Sequence, residues 1–488
     1  MINLPPIRDL IVQQGAPIRG ALQLIDTNAQ GIVFVVDERS SLVGVMTDGD
    51  IRRALLRGIS LDEQVNAAMQ RGFTSRPVGT ASKDLIALLN DKIRHIPLVN
   101  ADNVPIDYAC MHRLHRIPIM EPSLSGNEME YVTECIKTNW ISSQGAYVRK
   151  FESVFGAYCG YPHALAVSNG TVALHLALVA LGIGPGDEVL VPDLTFAASI
   201  NAVLYTGATP VIVDVDRTTW TIDVRQIEAL ITPRTRAVMP VHLYGHPCHM
   251  DEIMEIARCH GLFVIEDCAE AIGSTYRGKK AGSFGDVSAF SFFGNKTITT
   301  GEGGMVLFRD KGVFDLAKRL RDHGMAPDRR YWHNEVGFNY RMTNIQGAIG
   351  VAQMERVDTF VEIKRRLAAT YDTCLEKYTG LSLPPKEIWA LNSYWLYTFM
   401  VEPDHGVTRD EVMNKLMLNG VETRPVFYPL HEMPPYQRFA HGEYPVSSHL
   451  SRCGVSLPSS VTLSHEMQDA VVRALNTVFA TRDLIIES

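Results

Sequence analysis

The middle of the chain alternates short apolar runs, typical of buried strands, with longer stretches that have helical periodicity. Two of the helix candidates are Thr171–Gly182 and Met250–Gly261. The apolar runs are Glu188–Pro192, Thr209–Asp216, Arg236–His242, Leu262–Asp267, Val287–Phe292 and Gly303–Phe308. Such strands, separated by helices, predict an α/β fold with a mostly parallel sheet covered by helices on both faces. Ligands of such sheets bind at the carboxyl ends of the strands and at helix N-termini.

With 488 residues the chain is long enough for two or three domains. Near the N-terminus, two strand-like runs precede a helix candidate at Asp48–Gly58, and a weaker copy of this pattern covers Asp84–Cys110. Tandem copies indicate an internal repeat whose halves bury each other's apolar faces. The expected domains are a paired unit at 1–114, a linker at 115–127, a large domain at 128–380 and a small C-terminal α+β subdomain at 381–488.

Composition excludes several classes of function. The net charge of -8 argues against nucleic-acid binding, and no apolar stretch is long enough to span a membrane. The eight cysteines show no CxxC and no paired Cys/His spacing, so we expect neither a metal site nor a disulfide framework. Together these features predict a soluble cytoplasmic protein.

The stretch "GVMTDGDIRRAL" in the first unit places Thr47 at a strand end and Asp50 near a helix start. Backbone amides and Thr47 there could bind phosphate, with Asp50 accepting hydrogen bonds from ribose hydroxyls. The same residues could equally be a helix cap and a first-turn charge in a unit that serves only packing or oligomerisation.

The spacing of Gly44, Thr47 and Asp50 resembles that of CBS-domain pairs, regulatory modules that bind adenine nucleotides. The resemblance implies a regulatory site for an adenine or guanine nucleotide at Thr47 and Asp50. The second copy is degenerate, because "CMHRLHR" follows "VPIDYA" where the Thr-x-x-Asp pattern would stand.

One lysine, Lys296, lies in "SFFGNKTITTGEGG" among apolar, small and hydroxyl residues. Most lysines are solvated surface charges. A nucleophilic lysine must instead be neutral, which requires burial or nearby cationic charge. Because no other charged residue follows before Glu302, the context favours a nucleophile.

Three other stretches agree with a lysine that carries a cofactor, although each has an ordinary structural explanation. Ser168–Thr171 precede an apolar helix and can bind phosphate or simply cap the helix. Asp267 ends a strand and can cap it or pair with a pyridinium nitrogen, with Glu270 close by. Phe196 can be a core aromatic residue or a ring that stacks on a flat cofactor.

From Ile117 to the C-terminus the chain resembles the DegT family of nucleotide-sugar aminotransferases, fold-type I enzymes that use pyridoxal 5'-phosphate (PLP). The resemblance rests on motifs that include "NWISSQGAYVRKFE", "SNGTVALHLAL", "IEDCAEAIGSTYRGKKAGSFGD", "SFFGNKTITTGEGGM" and "GFNYRMTNIQGAIG". It implies that Lys296 forms the Schiff base with PLP, Asp267 pairs with the pyridine nitrogen and Phe196 stacks on the ring. It also implies that Gly170, Thr171 and Ser291 hold the phosphate, and that Asn339 reaches the phosphate of a partner subunit in a homodimer or higher homo-oligomer with shared sites.

The resemblance further implies an activity. Many relatives have Gln at the position of Glu270. With Glu at this position the chain resembles the branch of GDP-perosamine-type 4-aminotransferases. L-Glutamate would donate its amino group, with pyridoxamine 5'-phosphate as intermediate, to the 4-keto carbon of a nucleotide-linked, GDP-type 4-keto-6-deoxyhexose for surface polysaccharide. Ser142, His323 and His333 are candidate substrate contacts. A 3-aminotransferase, a dehydratase of the same fold and a non-catalytic regulator remain alternatives.

Overall fold

The computed structural model describes residues 5–80, 82–90, 92–110 and 117–479. The chain divides into two compact units, Met1–Arg116 and Ile117–Ser488. Residues 111–116, which hold most of the "CMHRLHR" stretch and the start of the expected linker, lie outside the described residues.

The first unit contains two three-stranded sheets of identical design. Its strands are β1 (Ile11–Gln13), β2 (Ile32–Val36), β3 (Leu42–Thr47), β4 (Arg76–Pro77), β5 (His95–Val99) and β6 (Pro105–Cys110), and its helices are α1 (Ile18–Asn28), α2 (Asp48–Leu56) and α3 (Ser82–Ile86). In each sheet the first two strands are parallel and the last two antiparallel. The register shifts at the same place in both, next to Val36 in one and Val99 in the other. The predicted internal repeat is therefore present.

Among the residues that the structure describes, the second unit has three sheets. Its strands are β7 (His163–Val167), β8 (Glu188–Pro192), β9 (Thr209–Val213), β10 (Thr235–Val238), β11 (Phe263–Asp267), β12 (Thr275–Tyr276), β13 (Lys279–Lys280), β14 (Val287–Ser291), β15 (Gly304–Phe308), β16 (Leu381–Ser382), β17 (Ala390–Leu391), β18 (Tyr397–Val401), β19 (Arg424–Pro425) and β20 (Gly454–Leu457). The large sheet has the strand order β7-β15-β14-β11-β10-β8-β9. The two small sheets have the orders β13-β12-β17 and β16-β18-β20-β19.

The large sheet is mostly parallel, as the alternating pattern predicts, with one exception. β15 runs antiparallel to both β14 and β7. A parallel neighbour needs a crossover connection long enough to return the chain to the same end of the sheet. β14 and β15 are instead joined by the loop 292–303, which contains no helix. The apolar pattern of these two strands identified them as strands but carried no information about their relative direction.

Helices cover the large sheet. The helices of this unit are α4 (Glu128–Lys137), α5 (Ala146–Cys159), α6 (Gly170–Ala180), α7 (Ala198–Tyr205), α8 (Val224–Leu230), α9 (Met250–His260), α10 (Lys311–Arg321), α11 (Asn344–Met354), α12 (Val357–Leu375), α13 (Arg409–Leu418), α14 (Pro445–Cys453) and α15 (His465–Phe479). A helix that is apolar all round is buried in the interior. Helix α6 is of this kind, and its side chains from Ala173 to Leu178 are all buried.

The segment from Ile117 onward, which we expected to be a linker, is packed into the second unit. Ile117 forms a bridge with Val421, and its backbone N–H donates to the carbonyl of Gly420 at 2.7 Å. Ile117 and Ile119 are both buried. This segment is thus part of the second unit rather than a free connection. Within the described residues, no helix is both long and apolar enough to cross a bilayer.

Candidate active site

Lys296 lies in the loop 292–303 between β14 and β15, and hydrogen bonds across the loop fix its path. The backbone N–H of Phe292 donates to Gly303 O at 2.8 Å, and that of Thr300 donates to Phe292 O at 2.9 Å. A tight turn follows, in which the N–H of Lys296 donates to Phe293 O at 2.9 Å. The lysine side chain is only 12% exposed, so it is not a solvated surface charge.

The amine of Lys296 lies between an aromatic face and a carboxylate. Its Nζ is 3.8 Å from the ring centroid of Trp395 and 3.7 Å from Oε1 of Glu270. Burial lowers the pKa of Lys296, although Glu270 and Asp267 act to raise it. Burial also raises the pKa of Glu270 to about 7, against the opposing effect of the lysine amine. The neutral amine that a nucleophile requires is therefore accessible here.

Asp267 ends β11 on the same side of the sheet. Its Oδ2 accepts a hydrogen bond from Ser199 Oγ at 2.8 Å, and its Oδ1 accepts one from the backbone N–H of Ala269 at 3.1 Å. Burial raises the pKa of Asp267, while these two hydrogen bonds and the Lys296 amine act to lower it. Ser199 was not identified from the sequence, although it lies one helical turn after Phe196 in "DLTFAAS".

The preceding residue, Glu266, anchors the strand end that carries Asp267. Its carboxylate contacts His242 Nε2 at 3.0 Å. It also accepts backbone N–H groups at 2.6 to 2.8 Å from three residues of the loop before β14, namely Gly282, Phe284 and Gly285. His242 in turn donates its backbone N–H to Asp267 O at 3.1 Å. These bonds engage both oxygens of Glu266, so we assign this buried cluster to positioning Asp267.

Three strand ends and one helix N-terminus meet where the lysine loop 292–303 begins and ends. Ser291 pairs with Gly304, which pairs on its other side with Val167 at the end of β7. Helix α6 begins at Gly170, and Asn169 caps it by accepting the N–H of Val172 at 3.0 Å. A Cβ at Gly170 would lie 2.8 Å from Cβ of Ser291. This close contact places the Ser291 hydroxyl beside free backbone N–H groups at the positive end of a helix, an arrangement suited to an anion.

A cluster of four aromatic rings reaches the Lys296 amine through Trp395. Phe196 is 61% exposed, not a core residue, and its ring centroid is 5.9 Å from that of Phe427. Tyr244 stacks on Phe427 and on Trp395, with ring centroids 5.5 and 6.0 Å apart. Its backbone is in the left-handed region, with φ of 52°. Sequence reasoning missed Tyr244 and Trp395. Tyr244 could have been found because it closely follows a strand end of the parallel sheet, whereas no local signal links Trp395 to Lys296.

Two of the three predicted substrate contacts, His323 and His333, form a second group. His333 Nδ1 contacts the backbone carbonyl of His323 at 2.9 Å. Arg341 connects Asn339 to His323. Its Nε donates to Asn339 Oδ1 at 3.1 Å, and its guanidinium is 3.4 Å from His323 Nε2. Asn339 and His333 are exposed on this chain. Ser142 is also exposed, and its carbonyl accepts the N–H of Asn344 at 3.1 Å. Contacts within one chain do not test the role of Asn339 in a partner's site.

In the first unit, Thr47 and Asp50 form a capping box at the start of α2. The Thr47 N–H and hydroxyl both donate to Asp50 Oδ2, at 2.9 and 2.7 Å. Asp50 Oδ1 accepts from Arg53 at 2.6 Å and from Gln70 at 2.9 Å. Burial acts to raise the pKa of Asp50, but these hydrogen bonds outweigh it and lower the pKa. A ribose hydroxyl would have to compete with these donors for Asp50.

Comparison with known proteins places this site in a class. The model of the DegT/DnrJ/EryC1/StrS aminotransferase family matches residues 122–476, and the chain belongs to that family, whose aminotransferases depend on PLP. The model of the CBS domain matches residues 4–57.

Individual relatives narrow the comparison. The chain is 51% identical to the GDP-perosamine synthase of Caulobacter vibrioides over 369 residues, which are 75% of this chain and 100% of the relative. It is 48% identical to the GDP-perosamine synthase of Escherichia coli O157:H7, over 75% of this chain and 99% of the relative. The solved structure of S. venezuelae DesV covers 75% of this chain and 99% of its own, with a TM-score of 0.71 and 35% identity. The predicted fold class and cofactor are thereby confirmed.

The residues present fit PLP. The helix N-terminus beside Ser291 suits the phosphate, buried Asp267 suits a pyridinium nitrogen, and Lys296 supplies a buried amine. Two buried polar atoms flanking the lysine, Asn295 Oδ1 and Thr297 Oγ1, have no hydrogen-bond partner among the described residues.

The close contact at Gly170 generates a first prediction. A Gly170→Ala substitution would put a Cβ 2.8 Å from Cβ of Ser291 and force that residue away from the helix N-terminus. We expect the affinity for PLP to fall at least about 10-fold, the effect of losing one charge-assisted hydrogen bond of roughly 1.5 kcal/mol. The affinity is measured by titrating the cofactor-free protein with PLP and monitoring the absorbance. The control is Gly184→Ala, whose Cβ would have its nearest neighbour at an unstrained 3.8 Å. Equal affinity in both variants would remove the phosphate assignment.

The capping box generates a second prediction. Asp50→Asn removes a buried charge that accepts four hydrogen bonds, and we expect it to destabilise α2 by about 1–3 kcal/mol. Hydrogen exchange of the full-length protein, read by mass spectrometry, should speed up in peptides that cover α2. Because folding lowers the pKa of Asp50, the stabilisation is complete at neutral pH and is lost as the pH falls through the folded-state pKa. Asp48→Asn, at an exposed position of the same turn, is the matched control.

Proposed function

We propose that this protein transfers the amino group of L-glutamate to the 4-keto carbon of a GDP-linked 4-keto-6-deoxyhexose, in the biosynthesis of a surface polysaccharide. The observation that carries the proposal is the 51% identity, over the whole length of the relative, to a GDP-perosamine synthase. The lysine amine, which is largely buried between the Trp395 ring and the Glu270 carboxylate, supports it, because transamination requires a lysine that changes its protonation state.

Each group of the site has a proposed task. Lys296 holds PLP covalently, Asp267 keeps the ring nitrogen protonated, and Phe196 packs on the ring. The N–H groups at Gly170 and Thr171, with the Ser291 hydroxyl, bind the phosphate. When bound, PLP supplies an electron sink that makes the Cα proton of an amino acid acidic.

The lysine does the proton transfer in this proposal. With the amino donor bound, the neutral Lys296 Nζ would take the Cα proton of glutamate and pass it to the cofactor carbon that accepts the amine, and in the reverse half-reaction it would take that proton back and deliver it to C4 of the sugar. Burial favours this role, since the neutral amine is the form that the low-dielectric site prefers. A dehydratase of this fold would have His in place of the lysine, so the presence of Lys296 favours transamination.

The remaining parts of the proposal concern partners. We propose a homodimer with shared sites, in which Asn339 of one chain reaches the phosphate of the other and the group around His323 and His333, with Ser142, contacts the sugar nucleotide. An adenine or guanine nucleotide at Thr47 and Asp50 stays a prediction, and so does a cytoplasmic location. The capping box around Asp50 makes a purely structural role of these two residues a full alternative.

Substrate specificity gives the third prediction. Incubation with glutamate and a panel of GDP-, UDP- and dTDP-linked 4-keto-6-deoxy sugars, read by mass spectrometry, should show an aminated product with the GDP sugar. NMR of the product should place the nitrogen at C4. A 3-aminotransferase would leave every 4-keto sugar unaminated and would place nitrogen at C3 only when given a 3-keto sugar, and the lack of amination with every 4-keto sugar would reject the proposed activity.

The lysine gives the fourth prediction. Lys296→Ala should reduce turnover at least about 1000-fold, because it removes both the covalent attachment and the proton carrier. The matched control is Lys279→Ala, at an exposed position of β13, which should retain wild-type turnover. Wild-type activity in Lys296→Ala would refute the assignment of the nucleophile.

A further inference from the structure

Two carboxylates act on the Lys296 amine, and their hydrogen bonding differs. Both oxygens of Asp267 accept a neutral donor, Ser199 on one side and the N–H of Ala269 on the other. Among the residues that the structure describes, Glu270 accepts a neutral donor through Oε2 alone, from the backbone N–H of Tyr244 at 2.8 Å. Its other oxygen, Oε1, faces Nζ of Lys296 at 3.7 Å. Glu270 is therefore the carboxylate that presents an oxygen to the amine.

The backbone around Glu270 is built to hold this orientation. Tyr244 has a left-handed backbone conformation, which is unfavourable for residues other than glycine. In this conformation its backbone N–H donates to Glu270. The Tyr244 ring stacks on Trp395, and the Trp395 indole N–H donates to the carbonyl of Asn295 at 2.7 Å. Glu270, Tyr244, Trp395 and the lysine loop thus form a closed ring of contacts around one amine.

We propose that Glu270 is the proton partner of Lys296, accepting a proton from the Nζ ammonium to leave a neutral amine and a carboxylic acid, and returning it in the reverse step. No other reactant is needed, because one N–H bond breaks as one O–H bond forms. The inference deepens the proposed function and rests on the role of Lys296 in it. It assigns Glu270 to proton transfer rather than to holding the cofactor alone.

The energetics of the pair favour such an exchange. Burial lowers the pKa of the lysine and raises that of Glu270 to about 7, so the two proton affinities converge. The Trp395 face at 3.8 Å stabilises the ammonium without fixing its proton to one acceptor. The other titratable groups that face the pair are Asp267 and the Tyr244 hydroxyl, and the latter accepts the N–H of Phe427 at 3.2 Å. Nζ lies 3.7 Å from Oε1, so an approach of roughly 0.8 Å would bring the two atoms to a hydrogen-bonding distance of about 2.9 Å.

A glutamine at this position separates the two possible roles. Its amide oxygen can still accept the Tyr244 N–H, so the local fold is kept, but it cannot take up a proton. Glu270→Asp keeps an ionisable carboxylate at a greater distance. Glu302→Gln removes the same charge at an exposed position of the lysine loop and serves as the control.

The test uses full-length protein freed of cofactor, so it does not depend on the sugar substrate. Lys296 is labelled with acetic anhydride over a range of pH, and the extent is read by peptide mass spectrometry. Since a nearby carboxylate stabilises the ammonium, Glu270→Gln should lower the midpoint of labelling by about one pH unit or more, and Glu302→Gln should leave it unchanged. An unchanged midpoint in Glu270→Gln would overturn the proposal.

A second readout addresses the exchange itself in the PLP-loaded protein. With glutamate alone each site reacts once, and Glu270→Gln should lower the limiting single-turnover rate constant at least about 100-fold, the low end of the range for general acid–base groups, with the apparent Kd for glutamate changed less than about twofold. Glu270→Asp should recover part of this loss. A rise in the apparent Kd for glutamate with the limiting rate constant unchanged would show that Glu270 only positions ligands and would reject the proton-transfer role. If both Glu270 variants behave as expected with glutamate but no sugar is aminated, the proposed sugar substrate is rejected. The assignment of Glu270 as the proton partner of Lys296 then still holds.

Discussion

The site depends on one close approach of backbone to backbone. A Cβ at Gly304 would lie 2.5 Å from the carbonyl oxygen of Asn169, so the start of β15 touches the N-terminus of α6 with no room for a side chain. This contact, with that of Gly170 and Ser291, aligns three strand ends with one helix end. The loop between β14 and β15 must then turn back beside the helix N-terminus, and the loop carries Lys296. The positions of the anion site and of the amine are thus set by the same two glycines.

Burial of charge is the second constraint, and it explains the chemistry. Asp267, Glu270 and Lys296 are all removed from water, where charged groups are expensive unless they are paired and hydrogen-bonded. Asp267 is satisfied by fixed neutral donors, which favours a lasting charge. Glu270 and Lys296 face each other instead, and burial shifts their pKa values in opposite directions. One carboxylate is therefore suited to hold a cofactor and the other to exchange a proton.

Sequence patterns predicted what local chemistry determines and missed what long-range packing determines. The strands ending at Asp267 and at Ser291, and the helix after Asn169, follow from apolar runs and capping residues. The direction of β15 could not be predicted in this way, since the same apolar run fits a parallel or an antiparallel strand. Trp395 could not be predicted as a neighbour of Lys296, because the contact joins the lysine loop to the start of a strand in another sheet. In the first unit the sequence predicted the repeat. Only the structure shows that the Asp50 carboxylate is engaged in a capping box.

The central claim is that Lys296 is the amine that carries the cofactor. Borohydride reduction of the PLP-loaded protein fixes the cofactor on the lysine it is attached to, and peptide mass spectrometry then identifies that residue. The account predicts a single modified peptide containing Ser291–Gly304, with the added mass on Lys296. Modification of another lysine, such as the buried Lys364, with Lys296 left free would contradict it.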